Sequence, residues 1–237
     1  VGMLTRSRGP SCPGKHGSEK EKEMKRIITG ITAITAALVF FWAVILKLLV
    51  RAGRLFNLTG PCPASLAWVV DNPVRRFYTR DLMDRIGIKP GEHVLELGPG
   101  PGAFTVKAAG KTGEAGLLTA VDIQPEMIEK LNGKIARAGI ENVRTHVASA
   151  YDLPLADACL DRAYLVTVLT EIPDQGRALE EIRRVLKPGG VLSVTEEFLD
   201  PDYPFAFESI RKIERHGFRL SARHGNFWVY TINFTRI

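Results

Sequence analysis

The residues best suited to chemistry lie in one stretch, VLELGPGPGAFT, from Val94 to Thr105. Gly98, Gly100 and Gly102 permit a tight turn and let a ligand approach backbone that a Cβ would obstruct, while the amides of the helix start that follows point outward. Something polar or charged is cradled there. Asp122 stands 20 residues beyond Gly102, where a carboxylate can take both hydroxyls of a ribose. Taken alone, Gly98-x-Gly100-x-x-Ala103 also fits a dinucleotide fingerprint, so the glycines leave the nucleotide open. Gly110-Lys111-Thr112 imitates a phosphate loop, but that loop needs a glycine five positions before Gly110, and Thr105 stands there.

These residues need a frame that fixes them at strand ends. From Gly91 short apolar runs alternate with helical stretches: strands over His93–Leu97, Leu117–Asp122, Val143–Ala148, Leu160–Val166 and Val191–Thr195. The clearest helix is Arg177–Leu186, where Ala178, Leu179, Ile182, Val185 and Leu186 share a face and Lys187-Pro-Gly-Gly190 stops it. Strand-helix alternation implies a doubly wound α/β fold, a parallel sheet with helices on both faces and ligands at the carboxyl ends of the strands. Pro204–His216 reads as a further helix. Phe218–Arg223 and Phe227–Phe234, joined by a turn at His224-Gly-Asn226, read as a hairpin that adds an antiparallel edge.

The ordered set of segments is more specific than any one of them. VLELGPGPGAFT, AVDIQPEMIEKL, ASAYDLPLADACLDRAYLVTVLTEIPD, RALEEIRRVLKPGGVLSVTE and GFRLSARHGNFWVYTINFTR cover most of residues 73–237. This set resembles the class I S-adenosylmethionine-dependent methyltransferases (methyltransferase type 11), in particular the branch with the ubiquinone/menaquinone-biosynthesis and bacterial phospholipid N-methyltransferases. The resemblance implies a seven-stranded sheet of order 3-2-1-4-5-7-6 and S-adenosylmethionine as cofactor. It places Gly98, Pro99, Gly100 and Gly102 in the cofactor loop and turns Glu96 toward the methionyl amine. It sets Asp122 on the ribose, packs Ile123 and Met127 on the adenine, and brings Ser149, Ala150 and Tyr151 to the adenine edge. Thr167 falls at the methionine end or the acceptor. Relatives often carry Asp where Ser149 stands, so either Ser149 or the nearby Asp152 takes the adenine amino group.

No dedicated catalytic residue is required for methyl transfer, because alignment supplies most of the acceleration. An acceptor hydroxyl or ammonium would need a base, and His216, His224, Glu171, Asp174, Tyr151 and Tyr164 are all available in the sequence. The three cysteines, Cys12, Cys62 and Cys159, form no CxxC pair, so neither a disulfide framework nor a metal site is signalled.

The first 72 residues have a different composition. Residues 1–26, rich in Gly, Pro, Ser, Lys and Glu, read as a disordered tail. From Ile27 to Leu46 no residue is charged, and at 1.5 Å per residue such a helix reaches about 30 Å, one hydrocarbon core. A transmembrane anchor over 27–50 is the reading. A signal peptide would have a shorter apolar run and an A-x-A site, and a core helix would have a polar stripe. Lys25 and Arg26 before the run and Lys47, Arg51 and Arg54 after it do not set an orientation; a cytosolic cofactor places the catalytic domain, 73–237, in the cytoplasm. Residues 51–72 read as a linker, turn-rich from Asn57 to Pro63.

After the linker, Asn72 can cap a helix with Pro73 first and Gly87 past its end. Val74, Phe77, Tyr78, Leu82 and Ile86 would then share its buried face, leaving Arg75, Arg76 and Arg80 outside, solvated or against anionic headgroups. The net charge of +6 would act there, on a membrane surface rather than on nucleic acid. The acceptor pocket falls to the region before Gly91, the loop after the fourth strand and the apolar segment Glu197–Phe207. Three function classes follow, in this order: a membrane-anchored enzyme methylating a small lipophilic acceptor (a phospholipid amine, a quinone precursor or a hydrophobic thiol), a non-catalytic cofactor- or partner-binding module, and a nicotinamide oxidoreductase.

Overall fold

A computed structural model describes residues 15–55, 65 and 67–237. The chain divides into two compact units at Leu48/Leu49. The first is helical: α1 runs over Lys15–Leu55, so residues 15–26, expected as part of a disordered tail, continue the helix toward the N-terminus. Their alternating Lys and Glu make this possible, as in the i,i+4 pair between Lys25 and Glu21 (2.6 Å). Residues 1–14 of that tail, with Cys12, and Asn57–Pro63 of the linker, with Cys62, lie outside the described residues. Glu19–Leu49 is long and apolar enough to cross a membrane. Its threonines are self-satisfied: the hydroxyls of Thr29, Thr32 and Thr35 donate to the carbonyls of Lys25, Ile28 and Ile31 at 2.8–2.9 Å, leaving no hydroxyl proton of theirs unpaired in an apolar medium.

The second unit carries the sheet. Its strands are β1 His93–Leu97, β2 Leu117–Asp122, β3 Val143–Val147, β4 Leu160–Val166, β5 Leu186–Glu197, β6 Phe218–Gly225 and β7 Val229–Arg236. They lie in the order β3-β2-β1-β4-β5-β7-β6. The first five are parallel, and β7 runs antiparallel between β5 and β6. This is the expected doubly wound sheet with its antiparallel edge. β1 is covered on both faces: Val94 packs with Ile86, Ala108 and Tyr164, and Leu95 with Leu165, Leu179 and Val194. Continuous apolar strands are what such two-sided burial demands, and each large side chain so buried stabilises the fold by about 1.5–3 kcal/mol.

The helices of this unit are α2 Ala67–Val70, α3 Pro73–Tyr78, α4 Leu82–Ile86, α5 Thr105–Thr112, α6 Pro125–Ala138, α7 Gln175–Val185 and α8 Ala206–Glu214. Their ends follow local chemistry. α6 starts on Pro125 and stops at Gly139, whose φ of 63° lets its amide reach back to the last turn; α7 is capped by Asp174, whose carboxylate accepts from the Arg177 amide at 3.0 Å. β5 starts at Leu186, earlier than expected. Lys187–Gly190 loops out of it, since Leu160 pairs with Leu186 while Arg162 pairs with Val191. The hairpin turn sits at Asn226, whose side chain accepts from the amides of Trp228 and Val229.

The expected single helix over 73–86 is instead two. Asn72 does cap the first, accepting from the Arg75 amide at 2.9 Å, and Gly87 does end the second at φ 74°. Between them the Thr79 hydroxyl donates to the Arg75 carbonyl at 2.6 Å and closes α3. The break rotates the first piece relative to the second, which inverts the expected faces: Val74 and Phe77 are about 70% exposed, and Arg75 is 7% exposed. Arg76 and Arg80 remain outside. Within the linker range, Ala67–Val70 is helical.

Candidate functional site

β1 and β2 end side by side, and the turn after β1 rises beside the carboxylate that ends β2. The Asp122 Oδ2 accepts from the Gly100 amide at 3.1 Å and Oδ1 from the Gln124 amide at 3.0 Å. Burial raises its pKa, opposed by these amides. Two oxygens offer about four acceptor positions, so the carboxylate keeps capacity toward the space in front of it. That space is a cavity of about 290 Å³, near the lower end of the ~300–1,000 Å³ of small-molecule sites. Gly98, Gly100, Asp122, Ile123, Met127, Ser149, Ala150, Tyr151 and Thr167 all line it.

The glycines differ in what they do. Gly100 has φ 53°, and a Cβ there would point into open room toward the cavity, its nearest neighbour Val70 at 3.8 Å. Gly98, at φ 70°, would drive a Cβ into Val168 at 2.5 Å. Gly102 lines neither the cavity nor the recess beside it. Its Cβ would strike Leu131 at 2.6 Å, so the packing of the loop against α6 by itself requires a glycine there.

Glu96 lies beneath the loop, on the same face of β1 as Val94. It shares with Pro99 a recess of about 20 Å³ that adjoins the cavity at Val70, Leu97, Gly98 and Val166. A recess that size has room for one water-sized polar group. Burial pushes the Glu96 carboxyl up to about 7; the facing hydroxyls of Thr105 and Tyr164, and Lys134, pull it back down. Its Oε2 and both of those hydroxyl oxygens lack a partner in hydrogen-bond geometry. Three orphaned polar atoms in one buried spot are costly unless a ligand completes them, and the polar set here fits a cationic amine or a water bridging to one.

The remaining expectations sort by position. Ser149 lines the cavity while its hydroxyl accepts from the Tyr151 amide at 3.2 Å, and Asp152 does not line it. Of the candidate bases, Glu171 and Tyr151 line the cavity. Tyr164 is buried beside Glu96, which together with burial pushes its phenol far above the usual range. Asp174 caps α7, His216 lines a separate groove, and His224 is exposed on β6 opposite Thr231.

Sequence reasoning missed Arg75. Its guanidinium donates twice from Nε and once from Nη2 to the Glu197 carboxylate (2.7–3.1 Å), from Nη1 to the Val70 carbonyl (2.7 Å), and from Nη2 to the Thr167 hydroxyl (3.2 Å). It also lies over the Phe104 ring, 5.1 Å from its centre. Tyr78 donates to the same carboxylate at 2.7 Å. Thr167 has φ 57°, a strained backbone for a β-branched residue, held where its hydroxyl meets Arg75 at the cavity wall. A second tie, Lys134 to Asp71 (2.7 Å) and to the Gly102 carbonyl, fastens the chain before α3 to the glycine loop. Burial alone would raise the Asp71 carboxyl; Lys134 and Arg76 hold it below the usual range. The signal available in sequence was the acidic pair Glu196-Glu197 at the end of an apolar strand, since a carboxylate buried there requires a polar or cationic partner from elsewhere.

A methyltransferase-domain family model matches residues 88–217. A ubiquinone/menaquinone biosynthesis C-methyltransferase UbiE of Vibrio vulnificus is 34% identical over 154 residues, 64% of this chain and 57% of that protein. An uncharacterised 37.1 kDa transposon protein of Streptomyces fradiae is 33% identical over 181 residues, 73% of this chain and 51% of that one. The chain thus spans about half the length of the curated relatives it matches. Among solved structures, an S-adenosylmethionine-dependent methyltransferase from Aquifex aeolicus is similar in fold at TM-score 0.70, with 23% identity over 75% of this chain and all of that one. Fold, cavity and family match converge: the chain belongs to the class I methyltransferases, whose cofactor is S-adenosylmethionine.

Proposed function

We propose that this protein is a membrane-tethered enzyme that transfers the methyl group of S-adenosylmethionine to a small lipophilic acceptor: a phospholipid amine, a quinone precursor or a hydrophobic thiol. The observation that carries the reading is the Asp122 carboxylate, aimed into the cavity and fixed by two backbone amides, one of them from the glycine loop. When bound, the cofactor supplies an electrophilic methyl carbon on a sulfonium, and its departing thioether needs no acid.

The chain's own residues hold and align. Asp122 takes the ribose hydroxyls, and the loop of Gly98, Pro99 and Gly100 presents its backbone to the cofactor. Ile123 and Met127 pack the adenine, Ser149 to Tyr151 meet its edge, and Glu96 completes its orphaned oxygen against the methionyl ammonium. Thr167 marks the end of the cavity where methyl and acceptor meet. Positioning of this kind can lower a barrier by about 7–11 kcal/mol. An acceptor that must lose a proton finds Glu171 and Tyr151 on the wall. The apolar helix Glu19–Leu49 supports the tether, with the catalytic domain on the cytosolic side where the cofactor is made. The quinone-related relatives support a lipophilic acceptor.

Titration calorimetry tests the core of this reading. Asp122→Ala should weaken S-adenosylmethionine binding by about 1.5–3 kcal/mol, the scale of hydrogen bonds to a charged group. Unchanged affinity would remove the ribose assignment and the reading with it.

A further inference from the structure

Five large apolar side chains stand exposed where the carboxyl end of β5 meets the β6–β7 turn, and none of them lines the cavity beside Asp122. Leu199 is 69% exposed, Phe207 65% and Trp228 57%, with Phe205 and Phe227 beside them. The pairing of Glu197 with Val229 brings the two segments together. The patch is rigidly built. Phe205 and Phe207 stack with ring centres 5.9 Å apart, Phe227 and Trp228 meet edge to face at 5.9 Å, and the Tyr203 hydroxyl pins the Phe227 carbonyl at 2.7 Å. A contiguous exposed apolar surface of this kind marks a docking face.

Its surroundings identify what docks. Phe207 also stands on the rim of a groove of about 670 Å³ between α8 and the loop after β4, whose wall carries three cations, Arg211, Lys212 and Arg215, against one carboxylate, Glu208, whose side chain is engaged by the Phe205 amide at 2.7 Å. Cations beside exposed aromatic rings match the two layers of a bilayer interface, with phosphate outside and acyl chain within. Ile172 and Pro173 line both this groove and the cofactor cavity, so a headgroup in the groove sits one wall from the cofactor.

We propose that the aromatic rim and the cationic groove together seat the catalytic domain on an anionic bilayer. The rings and Leu199 enter the headgroup boundary, and the groove receives lipid phosphate. This rests on the membrane reading of Glu19–Leu49 and not on methyl transfer.

The chain contains three tryptophans, so the full-length W42F/W68F variant reports Trp228 alone and W68F/W228F reports Trp42 alone. Each is reconstituted in vesicles of phosphatidylcholine with or without phosphatidylglycerol, the acyl chains brominated near the headgroup. Trp228 emission should fall by at least about half in the anionic vesicles, recover with added salt, and stay unquenched in the same variant carrying R211E/R215E. S-adenosylmethionine binding by that variant, unchanged, shows that it is folded. Quenching of Trp42 without Trp228 would overturn the proposal, the helix alone then holding the chain and the rim meeting a protein. Absence of both would overturn it by removing the membrane. Equal quenching in neutral vesicles and in R211E/R215E would overturn the phosphate seat. Loss of methyl transfer with Trp228 still quenched would count against the enzyme reading only.

Discussion

At the scale of single residues, Glu96 should give the proposed cofactor site a pH dependence. Its carboxyl is pushed by burial from 4.5 up to about 7, so the folded, ligand-free domain holds a proton that the unfolded chain releases near 4.5. A carboxyl raised in this way costs stability as pH climbs from about 4.5 through 7, because the unfolded state ionises first. A cationic amine beside it favours the ionised form, so binding should expel the proton. S-adenosylmethionine affinity should therefore rise between pH 5.5 and 7.5, and calorimetry in buffers of different ionisation enthalpy should detect a proton released below pH 7. Glu96→Gln should flatten both. A flat wild-type profile would separate Glu96 from the amine. The placement of Glu96, Gly98, Gly100 and Asp122 at strand ends around one cavity and its recess was legible in the sequence, because their spacing is tied to those ends. The split among the glycines was not, since only the packed α6 reveals that Gly102 answers to Leu131.

At the scale of elements, the sheet order and the hairpin were legible, for apolar runs of strand length alternating with helices admit few topologies. What the sequence hid was phase. A wheel drawn through residues 73–86 assumes one helix, and the closure at Thr79 breaks it, turning Arg75 inward toward Glu197 and leaving Val74 and Phe77 outside. The buried pair makes α3 a strap beside the cavity, since Arg75 binds Val70 and Thr167, both on its wall. Arg75→Met strands the Glu197 charge and should destabilise the domain by about 3–5 kcal/mol, read from urea unfolding. R75M/E197Q, which removes the charge as well, should recover part of that loss. If R75M unfolds like the wild type, the pair does not hold the strap.

At the scale of the whole molecule, the chain separates into an apolar helix and a sheet-bearing unit, and the family match lies wholly in the second, at 88–217. Deleting residues 1–56 should leave S-adenosylmethionine affinity within about twofold, since distant sites contribute independently. Turnover on acceptor embedded in vesicles should fall, because tethering confines enzyme and acceptor to one thin layer, and should return when the acceptor is offered in detergent. Equal turnover by both forms on vesicles would make the helix an address without a role in access. The central claim, methyl transfer to a lipophilic acceptor from the cavity between the glycine loop and Asp122, has a direct test. The full-length protein is incubated with methyl-labelled S-adenosylmethionine and a membrane lipid extract, alongside Gly100→Val, whose branched side chain would enter the cavity. Label should pass into the organic-soluble fraction with the wild type and not with the variant, whose circular dichroism stays helical. Absence of label in that fraction with a wild type that binds the cofactor, or equal labelling by both proteins, would contradict the account.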